Sequence, residues 1–129
     1  MIIGQKFQHS FGVDQDVYSG FLTTFKDHNP LHTNKDFAAS YGFADTVMHG
    51  NILNGFLSYF IGELLPIKNV AIIKQEINYH SPVYLNDILS LTAVVTFIHE
   101  SVNIIEMKFH FRNSIEKKVA AGKISIKVL

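Results

Sequence analysis

From Gly50 to about Leu65 the large apolar residues come in pairs: Ile52-Leu53, Phe56-Leu57, Phe60-Ile61 and Leu64-Leu65. A pair recurring at this interval is a helical stripe, too broad and too bulky to face water. The segment therefore predicts a helix that the rest of the chain must cover. Pro66 ends it, because a proline disfavours helical backbone at the residue before it. Gly55 and Gly62 inside the stripe each cost up to ~1 kcal/mol relative to alanine. A close approach of another backbone would explain them.

Beyond Pro66 the apolar period shortens from helical to strand-like, and these strands supply the cover. Ala71, Ile73, Ile77 and Tyr79 alternate with Lys74, Glu76, Asn78 and His80. Residues 87–98 are rich in β-branched side chains. Ile105, Met107, Phe109 and Phe111 alternate with Glu106, Lys108, His110 and Arg112, the cleanest half-buried strand in the chain. Ile124, Ile126 and Val128 form a last strand, with Gly122 read as a bulge. Strands joined by short turns make an antiparallel sheet.

Ahead of the central helix, residues 2–11 read as one edge strand, and Asp14 as the N-cap of a helix over 15–26. Val17, Phe21 and Phe25 lie on one face of that helix, which must stop near Asn29 because of Pro30. Thr33-Asn34-Lys35-Asp36 opens a shorter helix over Phe37–Tyr41, closed by Gly42. Residues 43–48 connect it to the central helix. Helices first and strands afterwards give an α+β layout, one domain over 1–129, with an antiparallel sheet curled around 50–65.

Composition narrows the function classes. Eleven basic and eleven acidic side chains leave no net charge, and no basic stripe is visible along the chain, so a nucleic-acid partner is not expected. No cysteine is present, which removes disulfides, thiolate nucleophiles and Cys-ligated zinc. The N-terminus has no basic leader, and no apolar run reaches membrane-spanning length. The expectation is a soluble cytoplasmic protein without a membrane partner. Hydrophobic residues are 47% of the chain, and part of that apolar content is read as subunit interface.

The candidate chemistry sits on either side of the connection. Asp27 and His32 flank the stiff Asn29-Pro30 turn, which holds a carboxylate and an imidazole at a fixed separation. Such a pair suits general acid/base work, since an imidazole titrates near neutral pH unaided and burial raises a carboxyl. The same spacing also fits a helix end capped by Asp27 with His32 incidental. His49-Gly50 opens the central helix, where free N–H groups and the positive dipole end can polarise a thioester carbonyl. A plain helix start would look the same. His28 and His32 have the spacing of a helical metal pair, but Pro30 removes the helix that would align them, and no metal is expected. His80, His99 and His110 fall on strands or turns and read as exposed. Ser58 is a lone helical serine, which usually bonds back to its own turn.

Asp27-His28-Asn29-Pro30-Leu31-His32 resembles the Asp-x-Asn-Pro-x-His hydratase signature of the MaoC-like family, which includes the (R)-specific enoyl-CoA hydratases. The likeness runs on through Phe37-Ala38, Gly42-Phe43 and His49-Gly50 to Tyr79-His80-Ser81-Pro82-Val83, over about residues 13–90. It implies a hot-dog fold, a sheet wrapped around the long helix, in a homodimer with active sites at the subunit interface. It implies reversible syn hydration of a trans-2-enoyl-CoA to the (3R)-hydroxyacyl thioester, with no cofactor. Asp27 and His32 carry over as the catalytic pair, and the Gly50 N–H as donor to the thioester oxygen. Asn29, His49 and Ser58 carry over as supporting residues, Ser58 because the family often has a serine near the carboxylate. The chain departs from the pattern in Lys26, where glycine is usual, and in Asn86-Asp87, where Gly-Asp is common. A lysine at 26 either pairs with Asp27 or points into solvent. The rival readings are a hydroxyacyl-[acyl-carrier-protein] dehydratase, which would show a basic patch at the pocket mouth, a hot-dog thioesterase, and a non-catalytic thioester-binding module. The last two have no need of both Asp27 and His32.

Overall fold

A computed structural model describes the whole chain, Met1–Leu129. Its elements, in order, are β1 (Lys6–Gly12), α1 (Gln15–Phe25), α2 (Pro30–Thr33), α3 (Lys35–Ser40), α4 (Asn51–Tyr59), β2 (Val70–Tyr79), β3 (Ile88–His99), β4 (Ile104–Arg112) and β5 (Lys118–Val128). α4 runs on without a break into a wider π-helical turn, Phe60–Leu64, and Leu65 before Pro66 is extended. The five strands form one antiparallel sheet in the order β1-β3-β4-β5-β2.

The sheet covers α4 as the apolar stripe demands. Ile52, Leu53, Leu57, Phe60, Ile61 and Leu65 are buried in a single core with Leu89, Leu91, Val95, Met107, Phe109, Phe111, Ile124 and Ile126 from the strands. Burial of such side chains stabilises the fold by roughly 1.5–3 kcal/mol each. No helix is long and apolar enough to cross a membrane.

Several local expectations are corrected. Strict alternation along β2 breaks at Ile73, which has no partner in the register with β5 because the strand bulges between Ile72 and Lys74. Ile72 therefore pairs with buried Ile126 and Gln75 with buried Ile124, while Ile73 is left 52% exposed. Gly122 is no bulge: it keeps register with both Ile77 and Phe109. A Cβ there would lie 1.9 Å from the Glu76 carbonyl oxygen, so the residue is small because the strands close upon it. Gly55 and Gly62 meet the opposite situation, with nothing within 4 Å of a built Cβ and hence no backbone approach in the chain. His80 is exposed as expected, but His99 and His110 are half-buried, His99 bonding Glu106 at 2.8 Å.

The neutral charge balance also hides an arrangement the linear chain does not show. The register lines up Lys6, Val94, Lys108 and Lys123 across β1, β3, β4 and β5, so three lysines share one row of the outer sheet face. Burial pushes the nearby His110 imidazole below its ordinary range, and the positive charges of Arg112, Lys118 and Lys6 push it the same way.

Lys26 is explained by backbone rather than charge. It closes α1 in the left-handed conformation, φ 58°, with its N–H donating to the Leu22 carbonyl, and it makes no ion pair with Asp27. Glycine takes that conformation without steric cost. Lys26→Gly is expected to raise the unfolding free energy by about 0.5–1 kcal/mol, read as a higher denaturant midpoint. Asn86 does the same in the turn before β3, at φ 70°.

Candidate active site

Caps on three successive helices bring the Asp27–His32 turn into place from purely local sequence. Asp14 caps α1 by accepting from the Val17 N–H at 2.9 Å. Asn29 caps α2 by accepting from the Leu31 N–H at 2.9 Å, with Pro30 at the first helical position. Asn34 caps α3 by accepting from the Phe37 N–H at 3.0 Å. The short helix α2 is an addition to the expected elements, although an Asn-Pro pair is the signal for it. It carries His32 back toward Asp27.

The Asp27 carboxylate is held at one oxygen. Oδ1 accepts from the Asn29 N–H at 3.1 Å, and Oδ2 stands 3.9 Å from His32 Nε2. That separation is too long for a direct hydrogen bond and leaves both atoms facing the same space. His32 Nδ1 lies 2.7 Å from the Val47 carbonyl, which only accepts, so Nδ1 carries the proton and Nε2 is turned toward Asp27. The Tyr18 hydroxyl donates to the His32 carbonyl at 2.7 Å and ties α2 to α1.

His49 is the buried part of the site, only 2% exposed. Its ring lies against that of His32 with centroids 4.0 Å apart, and Phe21 covers it from α1 at 4.7 Å. Its Nε2–H donates to the Asp27 backbone carbonyl at 2.8 Å, and its Nδ1 has no partner. One side chain thus fixes the backbone of the carboxylate and the plane of the imidazole. Asn29 is likewise a scaffold residue, acting through its cap.

Gly50 follows directly, at the N-cap of α4, and its N–H has no acceptor within the chain. The Tyr79 ring from β2 stands so close that a Cβ on Gly50 would lie 2.9 Å from it. Burial raises the Tyr79 hydroxyl above its ordinary range, while a bond from Asn54 opposes that shift. The sequence assigns neither Tyr18 nor Tyr79 a place at the site, although Tyr79 opens a segment of the family likeness, because both reach it through contacts distant along the chain. Ser58 is not brought to the site: it is exposed on α4 and lines neither of the two cavities that border Asp27.

Asp27, His32, His49 and Gly50 line a cavity of about 520 Å³ with Tyr79, Ser81 and Val83. Asp27 and Asn51 also form the edge of a second, more apolar groove of about 720 Å³ between α1 and α4. The donor atoms of Asp27, His32 and His49 lie within 4.8 Å of one another. The two imidazole rings are tilted at 32° to each other, and His49 Nε2 is committed to the Asp27 carbonyl while its Nδ1 is unpartnered.

A model of the MaoC like domain matches residues 3–117. The chain is 30% identical to an (R)-specific enoyl-CoA hydratase of Aeromonas caviae over 98 residues, covering 76% of this chain and 73% of that protein. It is 33% identical to a 3-hydroxybutyryl-CoA dehydratase of Methylorubrum extorquens over 76 residues, 59% of this chain and 48% of the relative. A solved (R)-hydratase from A. caviae superposes with a TM-score of 0.90 at 25% identity, covering all of this chain and 98% of the other. The wrapped helix is therefore the hot-dog helix of that neighbour, and the chain belongs to the MaoC-like family of hydratases and dehydratases.

Proposed function

We propose that the protein is a hydro-lyase that adds water reversibly to a trans-2-enoyl-CoA, giving the (3R)-hydroxyacyl-CoA. The observation that carries this reading is the shared space between Asp27 Oδ2 and His32 Nε2, with the free Gly50 N–H on the same cavity wall. The thioester oxygen accepts from Gly50, which draws electron density from the C2=C3 bond and stabilises the enolate-like charge that develops. Water held between the carboxylate and the imidazole attacks C3. The pair takes one proton from the water and returns one to C2 on the same face, so that H and OH add across the double bond without loss of atoms. His32 Nδ1–H stays on the Val47 carbonyl throughout and keeps Nε2 aimed at the reacting water.

A homodimer paired through a sheet edge is part of this reading. β1 and β2 are the two free edges, and β2 carries Tyr79 against Gly50. Pairing through β2 brings the two sites to the interface and covers exposed Ile72 and Ile73.

The test is hydration of crotonyl-CoA by the purified protein, followed as loss of the enoyl thioester chromophore, with the product resolved on a chiral phase. Formation of (3R)-hydroxybutyryl-CoA is expected. Thioester cleavage without hydration would overturn the reading in favour of a thioesterase.

A further inference from the structure

We infer that the Tyr79 hydroxyl is a second hydrogen-bond donor to the thioester oxygen, beside the Gly50 N–H, and that Asn54 and Gln75 hold it there. The inference rests on the hydratase reading and deepens it by one catalytic residue. Tyr79 closes β2 and lines the same cavity as Asp27, His32 and Gly50. A Cβ built on Gly50 would lie 2.9 Å from the edge of the Tyr79 ring and 3.3 Å from its hydroxyl oxygen. Gly50 already has helical backbone, and the Cβ direction of a helical residue leans toward the helix N-terminus. That is the end at which the Gly50 N–H stands without an acceptor in the chain. The hydroxyl and the N–H therefore border one small space, and a single oxygen placed there is within reach of both.

The side chains behind Tyr79 supply the independent sign. Gln75 Nε2 donates to Asn54 Oδ1 at 2.6 Å, and Asn54 Nδ2 donates to Asn51 Oδ1 at 2.8 Å and to the Tyr79 hydroxyl oxygen at 3.3 Å. The tyrosine oxygen accepts at the end of this relay, and the hydroxyl proton has no acceptor within the chain. An accepted bond polarises the hydroxyl and strengthens it as a donor. Burial holds its pKa above the ordinary range, against the opposing bond from Asn54, so the proton is kept at neutral pH. Neither Asn54 nor Gln75 lines the Gly50 cavity, and both are positioning residues that act through Tyr79. A phenyl ring would pack on Gly50 equally well; the relay serves only the oxygen. As water adds at C3, negative charge gathers on the thioester oxygen, and two donors share it without a proton leaving the tyrosine.

The experiment joins kinetics to a spectrum. Tyr79→Phe is expected to lower kcat for crotonyl-CoA by about 100-fold with KM within about threefold, because the donor acts chiefly on charge that develops in the transition state. Asn54→Ala should lower kcat by about fivefold, and should add nothing to Tyr79→Phe, since it acts only through the hydroxyl. The second readout needs no turnover. A dienoyl-CoA ester bound to the Asp27→Asn variant is expected to absorb at longer wavelength than the free ester, as its carbonyl is polarised. Adding Tyr79→Phe should remove about half of that red shift. A kcat for Tyr79→Phe within threefold of the unmodified protein, or a red shift that it leaves in place, overturns the inference while the hydratase reading stands. Loss of activity that follows dissociation to monomers on size exclusion, with the red shift unmoved, does the same and assigns Tyr79 to the subunit interface. Absence of hydration in the unmodified protein, together with a red shift that Tyr79→Phe halves, would leave the donor in place and remove the hydratase reading. Absence of both removes both.

Discussion

Asp27→Asn is expected to lower kcat/KM for enoyl-CoA hydration by about 100-fold or more, and His32→Ala by a similar factor. The asparagine substitution is the more telling because it is nearly isosteric. Its side-chain oxygen can still accept from the Asn29 N–H, as Oδ1 does now at 3.1 Å, so the turn keeps its shape. What it loses is the second oxygen, the one facing His32 Nε2 across 3.9 Å, and with it the negative charge that accepts a proton from water. His32→Ala removes the other side of the same space and leaves the Val47 carbonyl without its donor. Two groups that move one proton act as a unit, so the double variant should be scarcely worse than either single one. Steady-state kinetics on crotonyl-CoA, with thermal unfolding to confirm the fold, decide the matter. Activity within fivefold of the unmodified protein in both single variants would remove the pair from the mechanism.

The elements that strong local rules determine are legible in the chain. A paired apolar stripe over Ile52–Leu65 with a terminal proline has one reading, and the core is built around it. Asp14 and Asn34 cap helices because short side-chain acceptors before an apolar run do so. Asp27, His32 and Gly50 are found as one constellation only through the family signature, since spacing alone leaves a capped helix end equally acceptable. What is hidden is whatever depends on distant segments meeting. His49 holds the Asp27 carbonyl and lies against the His32 ring beneath Phe21 of α1, and nothing in the local sequence says so. Tyr79 reaches Gly50 from the other end of β2. The bulge at Ile73 shows in the sequence only as adjacent Ile72 and Ile73 followed by polar Gln75 in the apolar phase, a break that alternation alone does not interpret. The row of Lys6, Lys108 and Lys123 exists only in the register, and a charge count that sums to zero cannot reveal it.

The same dependence on register makes Gly122 the most consequential small residue in the sheet. A methyl at this position would lie 1.9 Å from the Glu76 carbonyl oxygen and 2.9 Å from the Phe109 ring. Neither neighbour can yield cheaply. Glu76 is held in the β2–β5 ladder opposite Lys123, and Phe109 is only 3% exposed within the core. Overpacking against a mobile side chain costs about 1–3 kcal/mol, and here the obstacle is backbone. Gly122→Ala is therefore expected to lose about 3 kcal/mol or more of a total stability on the order of 5–15 kcal/mol. Gly122→Val should yield no folded protein. The effect should also reach the site, because parting β2 from β5 moves Tyr79 away from Gly50 and Gln75 away from Asn54, which it now bonds at 2.6 Å. Gly62→Ala is the matched contrast: the same added methyl in open space on a helix, expected to stabilise by up to ~1 kcal/mol. Denaturant titrations of the two variants side by side separate the effects of close approach from those of the glycine itself. Equal and small shifts in both would mean that β2 and β5 do not close on Gly122.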